Sequence, residues 1–211
     1  NLTKSKFGMD EADESAIKVS VRIRPLNKRE KLEGDQEKLS FEFSDTSVLE
    51  KTASGQKVYR FDHCFGPDTN NQINYDMVGK SLVLHAMDGY NATIFTYGQT
   101  GSGKTHSILG NDDDPGFIPR AIDEIFNYVD GNLSMRFTLK VSYLEVYNEE
   151  INDLLNESEN EGQNLRILSE DPQKGAIIEK LTEESVHTRE VSRTQYIAPN
   201  IAQHGTAAQQ T

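Results

Sequence analysis

The eight residues that most limit what this chain can become are Gly98-Gln99-Thr100-Gly101-Ser102-Gly103-Lys104-Thr105. They fit the phosphate-loop pattern G-x-x-x-x-G-K-[ST] at every fixed position. Ala92-Thr93-Ile94-Phe95-Thr96-Tyr97 stands directly before them, apolar and β-branched, and reads as a buried strand. After the loop, residues 105–109 can open a helix. Strand, glycine loop and helix form the context that this pattern requires.

The residue types follow from the chemistry of a nucleoside triphosphate. Its phosphates need backbone N–H groups pointing inward along a tight curve. Gly101 and Gly103 let the chain take that curve and approach closely. A helix beginning at Lys104 adds the positive end of its dipole. Lys104 reaches the β- and γ-phosphates as a point charge, and Thr105 offers its hydroxyl to Mg²⁺. A nucleoside triphosphate and Mg²⁺ are therefore the implied ligands. A glycine-rich turn that matches by accident is the plain alternative, and the matching flanks weigh against it.

Periodicity organises the rest. Val19, Val21 and Ile23 alternate with Ser20, Arg22 and Arg24, a strand that Pro25 ends. Residues 39–43, 48–51 and 58–61 read as short strands joined by turns at Asp45-Thr46 and Ser54-Gly55, a small β lobe. A helix is expected over about residues 74–88, with Ile73, Met77, Val78, Leu82, Val83 and Met87 as its core stripe and Gly89 as its stop. Pro119 marks the start of another helix, whose stripe is Ile118, Ile122, Ile125, Phe126 and Val129. Residues 137–147 read as one long strand, 152–155 as a helical turn, and 165–168 with 176–179 as a hairpin. Thr188 is the expected N-cap of a last helix, which Pro199 interrupts. Residues 1–15 read as a disordered lead.

Composition excludes several classes. The chain has 211 residues and a formal net charge of −12, which argues against nucleic-acid binding. Residues 145–171 carry nine acidic residues against one basic, Arg166, and read as a solvated face. Cys64 is the single cysteine, so no internal disulfide forms, and no Cys/His spacing suits zinc. Asp112, Asp113 and Asp114 are consecutive and cannot share one face as metal ligands. No apolar run approaches membrane-spanning length.

Several segments together resemble the kinesin motor domain, in that family's order. They are Val21-Arg22-Ile23-Arg24-Pro25-Leu26-Asn27, Phe61-Asp62-His63-Cys64-Phe65, the run from Gly89 through the loop to His106, Gly116-Phe117-Ile118-Pro119-Arg120-Ala121, Val141-Ser142-Tyr143-Leu144-Glu145-Val146-Tyr147-Asn148-Glu149-Glu150-Ile151-Asn152-Asp153-Leu154-Leu155 and Leu181-Thr182-Glu183-Glu184. Within the family the chain is most similar to the centromere-associated mitotic kinesins. The likeness runs over about residues 17–190. The family's switch motifs, N-x-x-S-S-R-S-H and D-L-A-G-S-E, do not occur in this sequence.

The resemblance implies an α/β fold of the P-loop NTPase type: three layers, a mainly parallel central sheet and a small β lobe. Residues 16–211 would be the N-terminal part of that domain, incomplete at its C-terminal end. It implies that Arg22, Arg24 and Pro25 face adenine and ribose, and that Tyr90 and His106 pack around the adenine. The hairpin near residue 174 would touch tubulin, with Lys174 the candidate contact. The implied parent is an ATP-hydrolysing microtubule motor, cytoplasmic and on the cytoskeleton, the spindle included. The 211-residue piece itself would be inactive without the switches. Two other readings stay open: a nucleotide-binding regulatory module that does not hydrolyse, and a truncated fragment without a function of its own.

Overall fold

The computed structural model describes residues 17–32, 41–52, 54–156, 162, 164–171 and 175–188. The expected lead over residues 1–15, Lys174, and the expected helix beyond Thr188 lie outside them. The chain divides into two compact units, residues 1–70 and residues 71–211.

In the first unit, β1 (Ser20–Arg22) pairs in parallel with β5 (His63–Phe65), with Val21 opposite Cys64. Cys64 and Phe65 are buried there, and burial pushes the Cys64 thiol pKa up. The β lobe forms as an antiparallel meander of β2 (Phe41–Phe43), β3 (Ser47–Thr52) and β4 (Gly55–Arg60). The Phe43 ring lies across Gly66, where a Cβ would stand 2.6 Å from it, so a side chain there would push the ring aside. A short helix, α1 (Lys28–Leu32), follows β1.

The second unit opens with a continuous helical stretch in three parts: α2 (Asn71–Asn74), a π turn (Tyr75–Gly79) and α3 (Lys80–Met87). It begins a little earlier than the sequence suggested. Its buried line is Asn71, Tyr75, Gly79 and Val83, at steps of four. Ile73 and Met77, expected in the core, are about half exposed. The Tyr75 and Phe117 rings meet edge to face, 5.6 Å between centroids, directly over Gly79. Val83 of the expected stripe is buried with these rings, and Val78 packs against them. Gly89 stops the helix with φ +100°, the left-handed conformation suited to that position.

Next come α4 (Lys104–Ile108) and α5 (Phe117–Gly131), then β6 (Leu139–Val141), β7 (Leu144–Tyr147), β8 (Glu150–Asp153), β9 (Ile167–Asp171), β10 (Gly175–Ile178) and β11 (Glu184–Val186). Helix α5 sits where its stripe predicts. Ile118, Ile122, Ile125 and Phe126 line an apolar cavity of about 300 Å³ with Leu139, Val141 and Val186. The hairpin of β9 and β10 forms antiparallel, as expected.

Three expectations change. The strand over residues 137–147 breaks at Ser142 and Tyr143 into β6 and β7, which pair with different partners, β11 and β8. Residues 152–155 are not a helical turn. Asn152 and Asp153 belong to β8, because Asn148 and Glu149 both take positive φ and fold the chain back on itself. Residues 92–97 join no strand, and Phe95 and Tyr97 are 81% and 96% exposed. The chain is thus α/β, but among the described residues β1 with β5 is the parallel pair, and the other pairings are antiparallel. A run without ladder partners cannot serve as the centre of a sheet, however apolar it is.

Candidate nucleotide-binding site

The loop takes the curve that its glycines permit. Gly101 and Gly103 have φ of +78° and +98°, and Gly103 is the left-handed N-cap of α4. A side chain would be strained at either position. The Ser102 N–H donates to the Gln99 carbonyl at 3.1 Å, and the Ser107 N–H donates to Gly103 at 3.0 Å, the first turn of α4. At Gly98 a Cβ would stand 2.4 Å from the Ser102 Oγ. Open space surrounds the place where Gly101 would carry a Cβ. That shape suits the close approach of a polyphosphate.

Lys104 folds back over this curve. Its Nζ donates to the Gly98 carbonyl at 2.7 Å and to the Gln99 carbonyl at 3.0 Å. The ammonium therefore stands at the mouth of the loop, held by two neutral acceptors that a phosphate oxygen outcompetes, because the phosphate adds the attraction of an opposite full charge to the hydrogen bond. Thr105, next along, is exposed. The loop residues fit ATP with Mg²⁺.

The residues implied for adenine belong to both units. In the first, Arg22 Nη2 donates to the Thr69 carbonyl at 3.0 Å. Arg24 grips Glu30 with both terminal nitrogens, at 2.7 and 2.5 Å. Asn27 and Glu30 cap α1 reciprocally: the Glu30 N–H donates to Asn27 Oδ1 at 2.9 Å, and the Asn27 N–H donates to Glu30 Oε2 at 2.8 Å. Pro25 is exposed. In the second unit, Tyr90 is 70% exposed and meets the His85 ring edge to face, while the His106 side chain is exposed.

One group near the loop has no counterpart in the sequence reading. Asn71 is wholly buried. Its Nδ2 donates to the His106 carbonyl at 3.0 Å and to the Asp114 carbonyl at 2.9 Å. Its N–H faces both carboxylate oxygens of Asp114, at 3.1 and 3.0 Å. Arg120 Nη2 lies 3.5 Å from Asp114, and Arg120 Nε donates to the Pro115 carbonyl at 2.8 Å.

Comparison with known proteins decides the family. Residues 22–208 match the family described as the kinesin motor domain. The chain belongs to that family. Among its relatives, Kinesin-like protein KIN-7G of Oryza sativa subsp. japonica is 44% identical over 83% of this chain and 18% of that protein. Kinesin-like protein KIN-7M, chloroplastic, of Arabidopsis thaliana is 43% identical over 83% of this chain and 16% of its own length. Centromere-associated protein E of Homo sapiens is 38% identical over 86% of this chain and 7% of its length. The chain thus spans under a fifth of the curated relatives it matches. The kinesin likeness extends to residue 208, beyond the point near 190 where motif reading ends it.

This kinesin chain also uses two of its acids as ties. Besides Asp114, Asp153 is buried at 5% exposure, and its carboxylate accepts from the Leu155 N–H at 2.9 Å and the Thr182 N–H at 2.7 Å. The acidic run is therefore not a wholly solvated face: one of its members joins β8 to the segment before β11. No run of charges in the sequence marks which aspartate does this.

Proposed function

We propose that this chain is the nucleotide-binding part of a kinesin motor, which in the complete protein couples ATP hydrolysis to movement along microtubules. The observation that carries this reading is the curved glycine loop with Lys104 at its mouth, in a chain of the kinesin family. Lys104 binds and orients the β- and γ-phosphates, and the backbone around Gly101 lines them. Thr105 holds Mg²⁺ through its hydroxyl, and the metal neutralises charge on the phosphates. By resemblance, Arg22, Arg24 and Pro25 are the residues for adenine and ribose, and Tyr90 and His106 those for the adenine. In the complete domain the sheet is mainly parallel, residues 92–97 are one of its strands, and residues 16–211 are its N-terminal part. Tubulin is the partner, with Lys174 one contact, and the cytoplasmic cytoskeleton is the location.

The test is labelled ATP binding and ATPase activity in a complete motor domain that carries this segment. Lys104→Ala is expected to lose both together, and equal affinity in the two forms would remove the reading. The 211-residue chain by itself, assayed alongside, is expected to turn over no ATP above background. Phosphoryl transfer needs groups that place the attacking water and stabilise the transferred phosphoryl, and the loop supplies binding and part of the charge neutralisation.

A further inference from the structure

We infer that Asn71 is a positioning residue for the phosphate loop: by capping the His106 carbonyl it holds α4 in register, and with α4 the backbone of Lys104 and Thr105. The inference rests on the nucleotide-binding reading above.

Helix α4 is five residues long. Isolated helices shorter than about 12–15 residues do not sustain themselves in water, and the last four carbonyls of any helix lack partners within it. In a continuing helix, the N–H of Gly110 would serve the His106 carbonyl. Here that N–H goes to the Thr105 carbonyl instead, at 3.3 Å, beside Leu109 at 2.9 Å. Gly110, at φ +71°, turns the chain away. The amide of Asn71 takes the place left open, at 3.0 Å.

The rest of that amide is anchored independently of α4. Its second contact is the Asp114 carbonyl, and the Asn71 N–H, one of the unpaired donors at the start of α2, is satisfied by the Asp114 carboxylate. Asp114 is itself held, its N–H donating to Asn111 Oδ1 at 2.8 Å and its carboxylate beside Arg120. Three segments thus meet on one buried side chain: the start of α2, the last turn of α4 and the turn before α5. A buried amide left without partners is costly, so this arrangement has one low-energy geometry. His106 follows Lys104 by two residues in that single turn. A shift at its carbonyl moves the loop directly.

The experiment uses the full-length protein containing this chain, with Mg-ATP affinity and residue-resolved amide exchange as readouts. Asn71→Leu keeps the number and branching of heavy atoms and removes the donors. It is expected to weaken Mg-ATP binding tenfold or more, and to speed exchange at Ser107 and Leu109 while α5 stays protected. A merely structural asparagine would loosen α4 and α5 alike and leave the affinity of the folded protein unchanged, and that result overturns the inference. If Asn71→Leu fails to fold, Asp114→Asn decides. It removes one of the two oxygens facing the Asn71 N–H and is expected to weaken Mg-ATP binding threefold or more; unchanged or tighter binding overturns the inference. Lys104→Ala separates the two ideas. If it binds Mg-ATP normally, the nucleotide reading fails and this inference with it. If it loses binding while the Asn71 and Asp114 variants keep it, this inference alone fails.

Discussion

Arg24 and Glu30 show how a residue assigned to a ligand also has work within the fold. Two hydrogen bonds from the Arg24 guanidinium, then the Asn27 N–H, hold the Glu30 carboxyl down at about 2, against an ordinary value of 4.5. The same pairing raises Arg24. The folded value lies below the unfolded one, so the contribution to stability is present above about pH 4.5 and is lost as pH falls through about 2. Carbon-13 NMR of the Glu30 carboxyl should therefore give a midpoint near 2, with α1 fraying only below it. A midpoint near 4.5 would show that Arg24 is not engaged with Glu30. The reciprocal cap was written in the sequence as Asn27-x-x-Glu30, but five residues of helix with little apolar content give no periodicity to draw attention to it. Asn71 was less legible still. Its partners His106 and Asp114 lie 35 and 43 positions away, so no local pattern announces them. The phosphate loop was readable because its chemistry is packed into eight consecutive residues.

At the level of elements, legibility followed how local the deciding forces are. Helix α5 was read well because its apolar stripe faces one side and Pro119 marks its start. The β lobe was read well because alternating residues and turn residues agree. The hairpin of β7 and β8 was missed because Ile151, Leu154 and Leu155 have helical spacing, while the turn that decides the matter carries no glycine. Asn148 and Glu149 have φ of +50° and +66°, between Tyr147 and Glu150, which pair with each other. A two-residue hairpin turn of this hand favours glycine at its second position. A non-glycine residue there costs about 1–2 kcal/mol, and glycine returns up to about 1 kcal/mol of that as lost chain entropy. Glu149→Gly should thus stabilise a complete motor domain by about 0.5–1 kcal/mol, read as a higher urea midpoint. A lower midpoint would mean that the turn is not built as described.

At the scale of the whole molecule, the run before the phosphate loop sets the limit on what this chain can do by itself. Residues 92–97 have the composition of a buried strand, yet they make no ladder among the described residues, and Phe95 and Tyr97 stand almost fully in solvent. Of the residues in this run, Ile94 packs against the core of Tyr75, Val83 and Phe117. The buried apolar side chains among the described residues number eight, spread over both units. Beside them, α5 and β6 line a cavity of about 300 Å³ that no side chain fills. An apolar, unpaired run offers its N–H and C=O groups to any other chain. If it is buried without partners, each such group costs roughly 1–3 kcal/mol, against a total domain stability of only about 5–15 kcal/mol. Neither outcome gives a firm base for the loop that starts at Gly98. The purified 211-residue chain is therefore expected to melt broadly or not at all, to aggregate as it does so, and to bind Mg-ATP more weakly than a complete motor domain. Calorimetry and light scattering over a temperature scan test this. A sharp, reversible transition of a monomer, shifted upward by Mg-ATP, would show that residues 92–97 find their ladder partners within this sequence.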